Sequence, residues 1–170
     1  SSQKFPHLPD LPRLKKRLVG HLQSNKASKA IKLFDAIDSI DSLKLARRLS
    51  VLLAENCNNY ESLLQGNIGQ DPTKHGFQPG KIDTLLEVLE LKNLGVKGLM
   101  TIGELTTNET TIRKTFQKLR QLKERLNTHL PEEGQLTELS MGMSSDYEMA
   151  VEEGATMVRI GTVLFGERQR

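Results

Sequence analysis

Tryptophan is absent from this chain, aromatic residues make up only 4% of it, and cysteine occurs once. One thiol, Cys57, excludes an internal disulfide and a cysteine-based metal cluster, which fits a reducing cytoplasm. No local pattern activates that thiol, so it reads as a structural residue near a helix end. Uninterrupted apolar runs stop at four or five residues, too short to cross a bilayer, and no signal peptide is visible. Nor is there a dinucleotide Gly-rich fingerprint, a Ser/His/Asp arrangement or metal-ligand spacing; His7, His75 and His129 fall in no pattern.

What is present describes a folded protein with helices. The 170 residues suffice for one domain with a real core, at 36% hydrophobic and 26% charged content. Net charge is only +3, with basic residues mixed among acidic ones. The densest basic patch, Arg13 to Arg17 with Lys26, Lys29 and Lys32, reads as a solvated helix face. A nucleic-acid-binding module would instead concentrate Lys and Arg on one surface with stacking aromatics. The chain opens Ser1-Ser-Gln-Lys without methionine, which suggests processing or a fragment.

Pro6, Pro9 and Pro12 predict an extended, poorly ordered lead-in over residues 1–16, followed by a single domain over 17–170. From Arg17 on, strands and helices alternate. Strands are expected at Arg17–Leu22, Ala36–Ile40, Ser62–Ile68, Val96–Ile102, Leu136–Ser140 and Thr156–Ile160. Ser24 is expected to cap a helix carrying Ala27, Ile31 and Phe34, and the next helix presents Leu43, Ala46, Leu49 and Leu53. Further helices are expected near Lys81–Leu91 and Asn108–Thr128, with a loop over Gly69–Pro79. Ser145 and Glu148 form a capping box for a helix ending near Gly154, and Thr162–Phe165 is a last helical turn. Six such units imply a parallel sheet, either doubly wound or part of a (β/α) barrel. In barrels a phosphate site often follows strands seven and eight, which the last two strands would then be. The 170 residues also fall short of the roughly 250 typical of a barrel, so the expected fold class is α/β, an incomplete (β/α)8 barrel holding strands three to eight.

The chemistry concentrates at the carboxy-terminal end. Leu139-Ser-Met-Gly-Met-Ser-Ser-Asp146 and Met157-Val-Arg-Ile-Gly-Thr162 each carry an apolar run into a small, polar, Gly-containing turn. Such turns hold phosphate through N–H groups and hydroxyls without a metal. Ser144 is expected to present a free hydroxyl, Gly142 permits a tight turn, and Gly161 and Thr162 open the final helical turn. Arg159 interrupts a strand expected to be buried, so it requires a partner, either a ligand or a glutamate such as Glu138. His21, Gln23 and Asn25 follow the first strand at the ligand mouth, or serve only as caps and loop hydrogen bonds.

Val19-Gly-His-Leu-Gln-Ser-Asn-Lys26, Asp38-Ser-Ile-Asp-Ser42, Lys74-His-Gly76, Gly98-Leu-Met-Thr101 and the two carboxy-terminal motifs together resemble the pyridoxal 5′-phosphate (PLP) homeostasis proteins. These are relatives of the alanine racemase N-terminal domain, and the likeness runs from Arg17 to Arg168. It implies a cytoplasmic, monomeric PLP carrier or buffer without established turnover, serving PLP-dependent apoenzymes. It also implies that Ser144, Gly161 and Thr162 hold the cofactor phosphate while Arg159 faces the pyridine nitrogen. One departure is large: the family's Schiff-base lysine segment, Val-Ser-Lys-Thr on a first strand, does not occur, nor does Phe-Gly-Glu-Asn on a second. Lys97 is placed at the amino-terminal end of its strand and Lys26 beyond the opposite mouth, so neither substitutes. The resemblance therefore implies an N-terminally truncated, open barrel, no catalytic residue and noncovalent PLP at best. A racemase-like PLP enzyme would need that lysine and an opposed tyrosine, and neither Tyr60 nor Tyr147 is expected at a strand end.

Overall fold

A computed structural model describes residues 14–54, 60–104 and 106–166. The prolines of the lead-in, Arg13, His7 and Cys57 lie outside the described residues. Six strands form one sheet: β1 (Arg17–Leu18), β2 (Ala36–Ile40), β3 (Tyr60–Gln65), β4 (Leu94–Met100), β5 (Glu138–Met143) and β6 (Met157–Arg159). The helices are α1 (Ala27–Leu33), α2 (Leu43–Leu53), α3 (Ile82–Leu89), α4 (Glu109–Asn127), α5 (Tyr147–Glu152) and α6 (Thr162–Phe165). Every pairing is parallel, and the order is β1-β2-β3-β4-β5-β6. That order decides between the two architectures. A doubly wound sheet reverses direction at a switch point, whereas here each strand lies beside its predecessor, as in the wall of a barrel.

The helices share one core with alternate strand residues: Ile37, Leu64, Leu99, Leu139 and Met141 pack with Leu45, Leu49, Leu85, Phe116 and Leu119. Leu63 and Met100, also buried but outside that core, belong to the opposite face by the two-residue period of a strand. Ser42 caps α2 by accepting from the Leu45 N–H, and Asn108 caps α4 by accepting from Thr111.

The expected strand 3 begins two residues earlier, because 60–68 is buried almost throughout and gives no clear start, and strand 4 begins two residues earlier at Leu94. Gly66 then leaves the ladder to bridge Phe77. The first strand pairs only over two residues; beyond it the Ser39 hydroxyl donates to Gly20 O at 2.8 Å. Ser24 opens a 3-10 turn without a side-chain cap, and Phe34 lies just past α1. The Ser145–Glu148 capping box does not form; Asp146 is the α5 N-cap and its carboxylate instead accepts from the Met143 N–H at 2.6 Å.

Residues 14–16 are held more firmly than a loose lead-in. The Lys16 N–H donates to Asp35 at 2.7 Å and Lys15 pairs with Glu61 at 2.5 Å. Arg17, read as part of a solvated basic face, belongs to β1 and pairs with the buried Asp38 and with Glu61. The hydrogen bond to Asp38 is the main reason its pKa is raised. Burial pushes the Glu61 carboxyl up, but bonds from Arg17 and Lys15 outweigh that and hold it below its ordinary value. A carboxyl so held stabilises the fold fully above its ordinary pKa of 4.5 and loses that contribution as pH falls through the lower folded value. Glu61→Gln is therefore expected to flatten the acid limb of a stability–pH profile from urea midpoints. An unchanged slope below pH 4.5 would contradict the pairing.

Candidate functional site

The two carboxy-terminal turns lie side by side because β5 and β6 are neighbours. Met143 and Arg159 are register partners, so the segments that follow them emerge together. Gly142 makes the first turn possible. Its φ is +92°, and an added Cβ would lie 2.5 Å from the Ala150 Cβ of α5. Ser144 is half-buried and accepts from the Gly161 N–H at 3.1 Å, which ties one turn to the other. The hydroxyl is thus a bridge between turns, not the free group expected, and it keeps its own proton to donate. Thr162 is exposed at the start of α6, a helix of only four residues whose dipole is correspondingly small. No atom lies within 4 Å of a Cβ built on Gly161, so packing does not demand glycine there and the space above the turn is clear.

Arg159 reaches inward across the sheet. Its guanidinium donates to the Ser140 hydroxyl at 2.8 Å and to Thr101 O at 2.7 Å. Burial lowers its pKa, and the fields of Asp38 and Asp146 act in the opposite sense. The expected ion pair with Glu138 is not made; that carboxylate accepts from the Thr156 hydroxyl at 2.6 Å. Among the described residues the Arg159 guanidinium hydrogen-bonds only neutral oxygens, so a desolvated cation keeps donors to spare. The strand around it is less buried than expected, with Val158 exposed, because β6 is an edge of the sheet.

Ser144 also lines an open polar cleft of about 470 Å³ together with Glu109, Asp146, Glu148, Glu152 and Arg113. Four carboxylates around one guanidinium disfavour an anion there.

The structure places both lysines differently from the expectation. Lys97 sits in the middle of β4, not at its end, in a bulge that takes it out of register between Val96 and Gly98, and it is exposed. Lys26 lies on the same end of the sheet as the candidate site, since the β1–α1 connection leaves the carboxy-terminal ends of the strands, but it too is exposed. Tyr60 begins β3, at the far end of its strand, and the Tyr147 hydroxyl donates to Glu148. With a cation, two hydroxyls and clear space, the residues present fit the phosphate and ring nitrogen of PLP.

A second cluster was not legible in the sequence. His21, Asp41 and His75 come from the ends of β1, β2 and β3, and the His21 Nδ1 lies 2.6 Å from Asp41 Oδ2. The rings of His21 and His75 stack at 3.7 Å. Positions 21, 41 and 75 share no sequence spacing; only the strand order joins them.

The model of the alanine racemase N-terminal domain family matches residues 12–169. The chain is 40% identical over 172 residues to the pyridoxal phosphate homeostasis protein of Aquifex aeolicus, covering 98% of this chain and 72% of that protein. It is 39% identical over 163 residues to the protein of the same name from Vibrio cholerae, covering 95% and 67%. Among solved structures, PipY of Synechococcus elongatus PCC7942 with PLP bound is 40% identical, with a TM-score of 0.83, covering 92% of this chain and 73% of that one. An alanine racemase of Clostridium difficile in complex with cycloserine shares the fold at 16% identity and a TM-score of 0.74, covering 91% and 42%. Among the described residues no helix is long and apolar enough to cross a membrane.

Proposed function

Because the chain belongs to the alanine racemase N-terminal domain family, with relatives named for pyridoxal phosphate homeostasis, we propose that it binds PLP noncovalently and acts as a cytoplasmic carrier or buffer of the cofactor for PLP-dependent apoenzymes. The observation that carries this reading is the Ser144–Gly161 bond, which locks two turns into one cradle beside an inward-facing arginine paired only with neutral groups. In this reading Ser144, Gly161 and Thr162 hold the phosphate and Arg159 faces the ring nitrogen. PLP supplies an aldehyde and an electron-accepting ring when bound. A permanent cation at the ring nitrogen keeps that nitrogen unprotonated and the ring a poor electron sink, which suits holding the cofactor better than turning it over.

Titration with PLP, followed by absorbance and equilibrium dialysis, is expected to give saturable binding that inorganic phosphate competes away. Arg159→Ala removes a charge-assisted contact and is expected to weaken binding about tenfold to hundredfold; Ser144→Ala, a neutral one, about threefold to tenfold. Binding that does not saturate, or that ignores both substitutions, refutes the reading. A borohydride-stable mass increase located on a lysine would overturn its noncovalent part.

A further inference from the structure

We propose that His21, Asp41 and His75 form a binding site for a divalent transition-metal ion of the zinc type. Its residues come from the segments that follow β1, β2 and β3, not from the turns after β5 and β6, and the proposal does not depend on the PLP reading. Three ligand atoms, one from each residue, lie within 4.8 Å of one another. Two imidazoles and one carboxylate are a donor set that suits zinc and its neighbours, and three protein ligands leave a position open to water.

The carboxylate carries the argument. The Asp41 side chain is 94% buried, yet its ionic partners among the described residues are only these two histidines, at 2.6 and 3.9 Å. A desolvated carboxylate needs a compensating positive charge. A divalent cation held between the two imidazoles and this carboxylate supplies that charge.

The site is also built from below. The loop bearing His75 is pinned to the sheet: the buried Gln65 side chain donates to His75 O at 3.1 Å, and Asn67 donates to Asp71 O and Lys74 O. Gly76 has φ +129° and runs so close to β3 that a Cβ would meet the Asn67 backbone N at 2.7 Å. Lys74 ties the same loop to Gly103 O at 3.2 Å. The backbone that presents His75 is therefore fixed, while the two rings are exposed, His21 by 40% and His75 by 58%. Coordination requires one ring to tilt out of the parallel stack, and that exposure permits it.

The test uses the full chain, freed of metal by chelation and titrated calorimetrically with zinc chloride alone. One ion per chain is expected. Affinity should fall at least about tenfold in His21→Ala and in His75→Ala, and about hundredfold or more in the double variant, with far-UV circular dichroism unchanged. Cobalt(II) should give a visible d–d spectrum without a thiolate charge-transfer band. Asp41→Asn, which keeps the side-chain shape, should weaken binding as each single histidine variant does. The proposal fails if zinc does not bind saturably, if the double variant binds as tightly as the parent, or if cobalt reports a thiolate ligand.

Discussion

Asp38→Ala is expected to lower the stability of the chain by about 3 kcal/mol and its Tm by about 6–12 °C. Asp38 sits in the middle of β2 with 2% exposure and accepts from Arg17 through Nε at 2.9 Å and Nη2 at 2.7 Å. Deleting the carboxylate leaves a largely buried guanidinium with only Glu61 and its shared partner Lys15 nearby. The loss belongs at the lower end of the usual range for a broken buried pair, because Glu61 remains. Arg159 gains from the field of Asp38 as well, so the substitution reaches both ends of the same sheet face. Thermal and urea unfolding of Asp38→Ala beside Glu61→Gln would check this. If Asp38→Ala cost less than about 1 kcal/mol, the pair would be no stronger than an exposed one.

Gly142→Ala is expected to destabilise by about 2–4 kcal/mol and to weaken PLP and phosphate binding together. Two independent effects coincide at this residue. A φ of +92° strains any residue with a Cβ, and that Cβ would lie 2.5 Å from the Ala150 Cβ. Relief requires β5 and α5 to part, which moves Ser144 off the Gly161 N–H. Gly161→Ala is the contrasting case. Its φ is −120° and its surroundings are open, so stability should change little, while a methyl group enters the space where the proposal puts the phosphate. Equal stability losses in the two variants, measured by urea midpoint, would contradict this account of the turn.

Local periodicity and turn chemistry were enough to read strand–helix alternation, because buried apolar runs and helical stripes such as Leu43, Ala46, Leu49 and Leu53 arise from neighbours within a few residues. The two Gly-containing turns and the anomaly of Arg159 in an apolar strand could be read in the same way. Strand limits could not, since burial on both faces erases the two-residue alternation that marks an end. The partner of Arg159 was equally hidden: Thr101 O belongs to a segment 58 residues earlier in the chain. Arg17 looked like one more solvated cation until β2 and β3 brought Asp38 and Glu61 beside it.

Residue order alone thus specifies the parallel α/β class, the core stripes and the two small-residue turns, for each follows from steric and apolar preferences of adjacent positions. Assembly of the sheet in sequential order bears out the expected barrel wall and adds the rest: the Ser144–Gly161 bridge and the convergence of His21, Asp41 and His75. These depend on contacts between distant segments, whose distances are set by strand pairing and are encoded at no single place along the chain.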